Sequence, residues 1–482
     1  MSTTTSPVIV WFRRDLRLSD NHAMHAAQDH GGPVIPVYIR EVEAGSAGPL
    51  GGAQEWWLHH SLAALSGSLE KCGSSLLLRI GDAGDVLRSI ISETGADTVY
   101  WNRRYDPEGI ATDSKLKEAF QKEGLSVRSF AGHLIHEPSR VKTKGGGPYR
   151  VYTPFWRAIE GSEEPRPPLD APNKLAAPDT WPKTEKLADW KLLPTRPNWA
   201  KDFSEIWVPG EASAREKLDD FIDGALKGYE EGRDFPARDA TSLLSPHLAL
   251  GEISPAAVWH ATKGLSSHIA SQDISRFRKE IVWREFCYHL LFHFPALDEK
   301  NWNDSFDPFP WRNDEKSFDA WTRGMTGYPI VDAGMRQLWK HGIMHNRVRM
   351  ITASFLIKHL LIDWRKGEKW FRDTLLDADP ASNAANWQWV AGSGADASPF
   401  FRIFNPILQG EKFDADGDYV RTFVPELQKL DRKYIHKPFA APKEVLEKAG
   451  IRLGANYPEP IVDHQFARQR ALDAYSNLKK DA

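Results

Sequence analysis

Pro7-Val8-Ile9-Val10-Trp11-Phe12 is an apolar run with no polar face. A strand with one wet face alternates apolar and polar residues. A continuous run rich in Val and Ile instead reads as a strand covered on both faces, as in a parallel sheet. Working outward, similar runs occur at Val34–Ile39, Leu76–Ile80, Thr98–Trp101 and Val127–Phe130. Between them lie helical patterns at Asn21–Gln28, Glu55–Glu70, Asp85–Thr94 and Thr112–Glu123. Strands alternating with amphipathic helices predict a doubly wound α/β domain over residues 1–135. No G-x-G-x-x-G turn follows the first strand. A dinucleotide bound in the usual way of such folds is therefore not expected here.

The pattern then changes. Twelve of the 32 prolines lie between Glu137 and Gly210. Proline removes a backbone donor and restricts the residue before it, so segments such as Glu163–Pro168 and Pro194–Pro197 cannot be helix interiors. Residues 136–206 read as a connector wrapped over the surface. From Glu211 onward the periodicity is helical, at Ala212–Lys227, Pro255–Lys263, Ser275–Phe294, Val348–Leu361 and Asp463–Lys479. Ser275–Phe294 and Val348–Leu361 have little polar face and read as buried helices. Residues 207–482 are expected to form an all-α domain. No internal repeat or low-complexity segment interrupts the chain.

Composition excludes several classes. With only Cys72 and Cys287, the chain cannot build a disulfide scaffold or a four-cysteine zinc or iron–sulfur site, and no metal is expected. No apolar run reaches the ~18–20 residues of a membrane span. Met1–Pro7 is short and polar, unlike a signal peptide, so a cytoplasmic protein is expected. The net charge of -3 gives no global attraction to nucleic acid, so any such binding must rest on a local basic face. Nineteen tryptophans are many. They suit large-residue packing, surfaces for a flat ligand, or an electron route.

Longer strings carry a resemblance. Val10-Trp11-Phe12-Arg13-Arg14-Asp15-Leu16-Arg17-Leu18-Ser19-Asp20-Asn21 is one. The others are Trp283-Arg284-Glu285-Phe286, Gly327-Tyr328-Pro329-Ile330-Val331-Asp332-Ala333, Met344-His345-Asn346-Arg347, Asn386-Trp387-Gln388-Trp389 and Phe401-Arg402-Ile403-Phe404-Asn405-Pro406. In this order and spacing they resemble the photolyase/cryptochrome family over essentially the whole chain. The resemblance implies FAD in the helical domain and an electron, driven by light, passed from reduced FAD to a cyclobutane pyrimidine dimer in damaged double-stranded DNA. It implies a deoxyribodipyrimidine photo-lyase activity; the alternative is a cryptochrome-type blue-light photoreceptor without repair.

Site residues follow position by position. Tyr229, Thr241, Ser242, Leu244 and Ser245 match the segment that holds the FAD phosphates. Hydroxyls and main-chain N–H groups suit phosphate oxygens, and the same string also reads as a helix cap. Arg284, Arg349, Asp377 and Asp379 match residues around the isoalloxazine and ribose; Arg349 and Asp377 also read as a plain ion pair. Asn383 matches the position facing flavin N5, where plant cryptochromes resemble this segment but carry Asp. A neutral amide tolerates a reduced anionic flavin, and a carboxylate does not. Glu280, Trp283, Asn346, Met350 and Trp389 match the pocket for a dimer flipped out of the duplex. Six-four photolyases carry His at the counterparts of Asn346 and Met350. Trp387, Trp364 and Trp311 match a tryptophan chain that delivers electrons to oxidised flavin. Arg233, Arg347 and Arg402 match positions near DNA phosphates.

The antenna segment departs from the folate-binding pattern. Where that branch has an Asn-Glu pair, this chain has Tyr105-Asp106-Pro107-Glu108, leaving Glu108 for a pterin edge. Tyr105-Asp106-Pro107, His436-Lys437-Pro438-Phe439 and Asn456-Tyr457-Pro458 resemble instead the branch nearest plant cryptochromes (class III). The antenna implied is 5,10-methenyltetrahydrofolate before a deazaflavin, and the protein is expected to be a monomer.

Overall fold

The computed structural model describes residues 5–41, 50–396 and 401–478. Within the apolar Pro7–Phe12 run, Val8–Phe12 form β1, and every residue of the strand is fully buried. The chain continues through α1 (His22–His30), β2 (Val34–Arg40), α2 (Gly52–Lys71), β3 (Leu77–Ile80), α3 (Ala83–Thr94), β4 (Thr98–Asn102), α4 (Pro107–Lys122) and β5 (Ser126–Phe130). The five strands are parallel in the order β3-β2-β1-β4-β5. The chain winds outward from β1 to β3, then crosses back to place β4 on the other side of β1. This is the doubly wound topology expected. Its core joins Ile9, Trp11, Ile35, Val37, Leu87, Ile90, Val99, Trp101 and Phe120.

Helix α4 begins five residues before the sequence pattern did. Asp106 accepts from the Gly109 N–H at 2.7 Å, and Pro107 sits in the first turn, where its missing N–H costs nothing.

Residues 136–206 are mostly irregular, and their main chain is tied back onto the α/β part. Leu169 O accepts from Asp20 N, and Ala176 O accepts from Val34 N, both at near-ideal length. The proline density hid one helix, α5 (Tyr152–Glu160). It buries Tyr152, Phe155, Trp156 and Ile159, an i, i+3, i+4, i+7 stripe, with Pro154 confined to its first turn.

The remainder is helical: α6 (Glu211–Asp223), α7 (Tyr229–Gly232), α8 (Ser245–Ala249), α9 (Pro255–Ala261), α10 (Ser271–His293), α11 (Glu315–Thr322), α12 (Pro329–His341), α13 (Asn346–Ser354), α14 (Trp364–Thr374), α15 (Pro380–Ala391), α16 (Pro406–Phe413), α17 (Asp418–Phe423), α18 (Lys443–Ala449) and α19 (His464–Leu478). Lys479, the expected end of the last helix, lies outside the described residues. The single helix expected over Val348–Leu361 is interrupted. α13 stops at Ser354, and Phe355–His359 form a wider π turn closed by Leu360 N donating to Phe355 O at 3.1 Å. The turn buries Lys358 completely. Its Nζ donates to Ala391 O at the end of α15 and lies 3.2 Å from the Phe401 ring centroid.

By packing, the chain divides into two compact units. One holds residues 1–199, 207–227 and 242–295; the other holds 200–206, 228–241 and 296–482. The second has its own core, built on Trp321, Ile330, Val331, Met335, Val348, Leu356, Trp364, Phe371, Trp387 and Tyr419.

Candidate functional site

In the second unit, α15 carries the densest set of candidates. Asp379 caps it, accepting from Ser382 N at 2.8 Å. One turn in, Asn383 donates through Nδ2 to Glu368 Oε1 at 2.8 Å and to Glu368 O at 3.0 Å. Both amide hydrogens are thereby used, and the amide cannot flip. Glu368 is buried on α14, where Arg372 pairs with it at 2.8 Å. Burial is the largest influence on its carboxyl and raises its pKa, with Arg372 opposing. The sequence reading passed over Glu368. Its signal was a carboxylate inside the apolar stripe Trp364, Gly367, Phe371, since a buried acid needs partners.

Arg349 on α13 donates to both carboxylate oxygens of Asp377, at 2.8 and 3.0 Å, and through Nε to Met344 O at 2.7 Å. The pair is an ion pair, and on α13 Arg349 stands three residues after Asn346 and next to Met350. Those two, at i and i+4, share one face of α13, with Asn346 exposed and Met350 partly so. His345 caps the helix by accepting from Arg347 N at 3.2 Å, and burial lowers its pKa to about 4, so it is neutral. Arg347 is drawn to Asp234 at 2.8 Å and lies over Phe413. Tyr229 and Arg233, at the two ends of α7, are buried. Arg402 is exposed, just after the end of the segment left undescribed.

Trp387 and Trp364 are buried in one core, with Trp311 packed at its edge. Trp364 Nε1 donates to Asn301 Oδ1 at 2.9 Å. Trp387 lies so close to α14 that a Cβ on Gly367 would stand 2.2 Å from its ring. Trp389 is partly exposed two residues further along α15.

In the first unit, Ser242–Ser245, which follows Thr241 of the second, leads into α8. Leu243 holds φ at 51°, in the left-handed region, and Ser242 Oγ lies 3.5 Å from Leu244 N. A bulky residue at positive φ costs of order 1 kcal/mol and persists only where the surroundings demand it. Helix α10 carries Glu280, Trp283 and Arg284. Glu280 is partly exposed, with Arg276 3.8 Å away. Arg284 donates to His133 O at 2.9 Å and to His133 Nε2 at 2.7 Å. Burial, with Arg284 beside it, keeps His133 neutral and able to accept. Next to it, buried Glu285 accepts from Ile135 N and His136 N, and desolvation pushes its carboxyl up to about 7.

The switch point of the sheet, beside the ends of β1 and β4, is where doubly wound folds commonly bind ligands. Here Arg13, Arg14, Arg103, Arg104, Tyr105, Asp106, His133 and Tyr288 surround a void of only about 10 Å³. That is room for about one water. Arg13 and Arg104 fill it by pairing with Asp113 at 3.1 and 2.7 Å. Glu108, the antenna candidate, sits exposed in the first turn of α4.

In the second unit, the Arg–carboxylate pair, the oriented neutral amide and the buried tryptophans suit a flavin ring and its ribose; in the first, the hydroxyls and main-chain donors of the strained turn suit phosphate. Together with the α/β-then-helical fold, they define the flavoprotein class of photolyases and cryptochromes. Comparison with known proteins agrees: residues 8–173 match the DNA photolyase domain, and residues 277–477 match the FAD binding domain of DNA photolyase. The chain belongs to the DNA photolyase family. It is 79% identical over 480 residues to a deoxyribodipyrimidine photo-lyase of Agrobacterium fabrum, with all of both chains covered. It superposes on the crystal structure of a bacterial class III photolyase from Agrobacterium tumefaciens with a TM-score of 0.98, at 79% identity, covering 100% of this chain and 99% of that one. Cryptochrome-1 of Arabidopsis thaliana is 38% identical over 98% of this chain and 70% of its own length. Among the described residues no helix is long and apolar enough to cross a membrane, and no His, Cys, Asp and Glu cluster could hold a metal.

Proposed function

We propose that this protein is a deoxyribodipyrimidine photo-lyase that uses blue light to split cyclobutane pyrimidine dimers in double-stranded DNA. The observation that carries the reading is Asn383. Its two amide hydrogens are engaged by Glu368, which leaves the neutral Oδ1 end for the cofactor. A carboxylate at this position would repel a reduced anionic flavin or take up a proton. When bound and reduced, FAD supplies the light-excited electron that opens the cyclobutane ring.

The chain supplies binding, orientation and electrostatics. Tyr229, Thr241, Ser242, Leu244 and Ser245 hold the phosphates, and Arg284, Arg349, Asp377 and Asp379 hold the ribose and ring system. Trp283 and Trp389 offer flat apolar surfaces to the extruded dimer, and Asn346 and Met350 take part in recognising it. Glu280 bonds a pyrimidine carbonyl and steadies the charge that arrives on it. Arg233, Arg347 and Arg402 bind the flanking phosphates. Trp387, Trp364 and Trp311 carry electrons inward for photoreduction and take no part in repair itself. Residues 1–135 form an antenna domain, with Glu108 on the edge of 5,10-methenyltetrahydrofolate. Residues 136–206 connect it to the catalytic domain at 207–482. The protein acts as a cytoplasmic monomer.

The test is repair. Photoreduced protein is mixed with an oligonucleotide bearing one thymine cyclobutane dimer, illuminated with blue light, and intact thymines are counted against a dark control. Light-dependent restoration is expected. Its absence with FAD bound and reduced would move a photoreceptor function ahead.

A further inference from the structure

We infer that Tyr152 is a positioning residue of the lesion pocket, holding the Trp283 ring from behind so that one face is ready for an extruded pyrimidine. This rests on the repair reading above. The geometry is specific. The Tyr152 and Trp283 rings lie 3.6 Å apart between centroids and 5° from parallel. Their common neighbour Phe286 meets each edge-on at 5.8 Å, so three rings fix one another. Tyr152 is itself anchored at two levels. Its hydroxyl donates to Lys279 O at 2.8 Å. Lys279 stands four residues before Trp283 on α10, so the hydroxyl grips the carbonyl that the Trp283 N–H also addresses in a regular helix. Burial, with the Glu280 carboxylate nearby, keeps the phenol protonated and the hydroxyl donating. Behind Tyr152, Phe155 and Trp156 of α5 are buried, and Phe155 packs on Phe286 at 5.3 Å and His289 at 5.1 Å. The plane of Trp283 is therefore set by a helix from the proline-rich connector.

The consequence for binding is pre-organisation. A free indole samples several rotamers, and ordering it on binding costs affinity. Tyr152 covers one face of Trp283, so a pyrimidine stacks on the other without that ordering step. Stacked aromatic pairs are worth roughly 3- to 10-fold in an equilibrium. Removing the Tyr152 ring should weaken binding of dimer-containing DNA by about that factor, with little change for intact DNA, which does not enter the pocket.

The experiment uses the FAD-bound protein carrying 5-fluorotryptophan, with the Trp283 fluorine resonance assigned from Trp283→Phe. Tyr152→Leu and Tyr152→Met remove the plane; Tyr152→Phe keeps it. The expected result without DNA is a shifted or broadened Trp283 resonance in the Leu and Met variants, with flavin absorbance retained and the Phe variant close to the parent. With oligonucleotides, the Leu and Met variants should lose roughly 3- to 10-fold in the ratio of dimer to intact affinity, and Tyr152→Phe should restore most of it. An unchanged resonance, or an unchanged ratio beside a shifted resonance, overturns the inference. A parent that neither repairs nor prefers dimer-containing DNA overturns the functional reading instead, while the resonance still reports whether Tyr152 orders the ring. If Tyr152→Leu does not fold, Tyr152→Met, whose longer and more flexible side chain adapts to the gap, decides.

Discussion

Asn383 Nδ2 donates to the side chain and to the main-chain carbonyl of Glu368, at 2.8 and 3.0 Å, across the α14–α15 pair. The amide is therefore not a free rotor; its orientation is set by a buried acid that pairs with Arg372. Glu368→Ala should release the amide and leave Arg372 without this partner. The expected outcome is a several-fold loss of repair quantum yield and faster dark reoxidation of reduced flavin, with FAD still bound. Glu368→Gln, whose amide oxygen still accepts, should recover much of both. Stopped-flow reoxidation and a single-dimer repair assay check this.

Glu280 stands near Trp283 and is only partly exposed. If it bonds the substrate, Glu280→Ala should lower the repair yield several-fold while absorbance of the bound flavin is unchanged. An unchanged yield would remove Glu280 from the chemistry.

Gly367 has no room for a methyl group, because its Cβ would meet the Trp387 ring at 2.2 Å and Leu356 at 2.7 Å. Gly367→Ala overpacks the core, and such changes cost about 1–3 kcal/mol. It should lower Tm and slow photoreduction by displacing Trp387. Trp387→Phe should abolish photoreduction. It should also spare repair when the flavin is reduced chemically, which separates the two roles.

Glu285 supplies a pH signature. Burial pushes its folded pKa up to about 7, above the ordinary glutamate value. For a raised acid the favourable contribution is complete below the unfolded pKa and is lost as pH rises through the folded one, so stability should fall between about pH 4.5 and 7. Glu285→Gln removes this slope. Relative to the parent, the variant should gain on the order of 3 kcal/mol between pH 5 and pH 8. Urea unfolding at the two pH values measures it; parallel pH dependences would show that Glu285 stays ionised.

The α/β architecture was legible in the chain because its parallel strands are buried on both faces. Val8–Phe12 could be nothing but interior, and its counterparts at Val34 and Thr98 fell into place beside it. Element ends were less legible where a local cap decided them, as Asp106 does for α4. Helix α5 was missed because proline density outweighed its apolar stripe. The break after Ser354 was missed because the backbone widening around Lys358 leaves the hydrophobic pattern unchanged.

The sequence by itself determined the class of fold, the family and the residue types at each candidate position, since these depend on pattern and on strings in fixed order. Which partner each side chain takes was decided only by the tertiary structure. Glu368 meets Asn383 across 15 positions, Arg284 meets His133 across 151, and Tyr152 lies on Trp283 from a different segment of the chain. The sheet's switch point is likewise closed by Arg13 and Asp113, 100 positions apart. The physical reason is the same in each case. Hydrogen bonds and ring stacks act over a few ångströms, and only packing of remote segments brings such groups within that range.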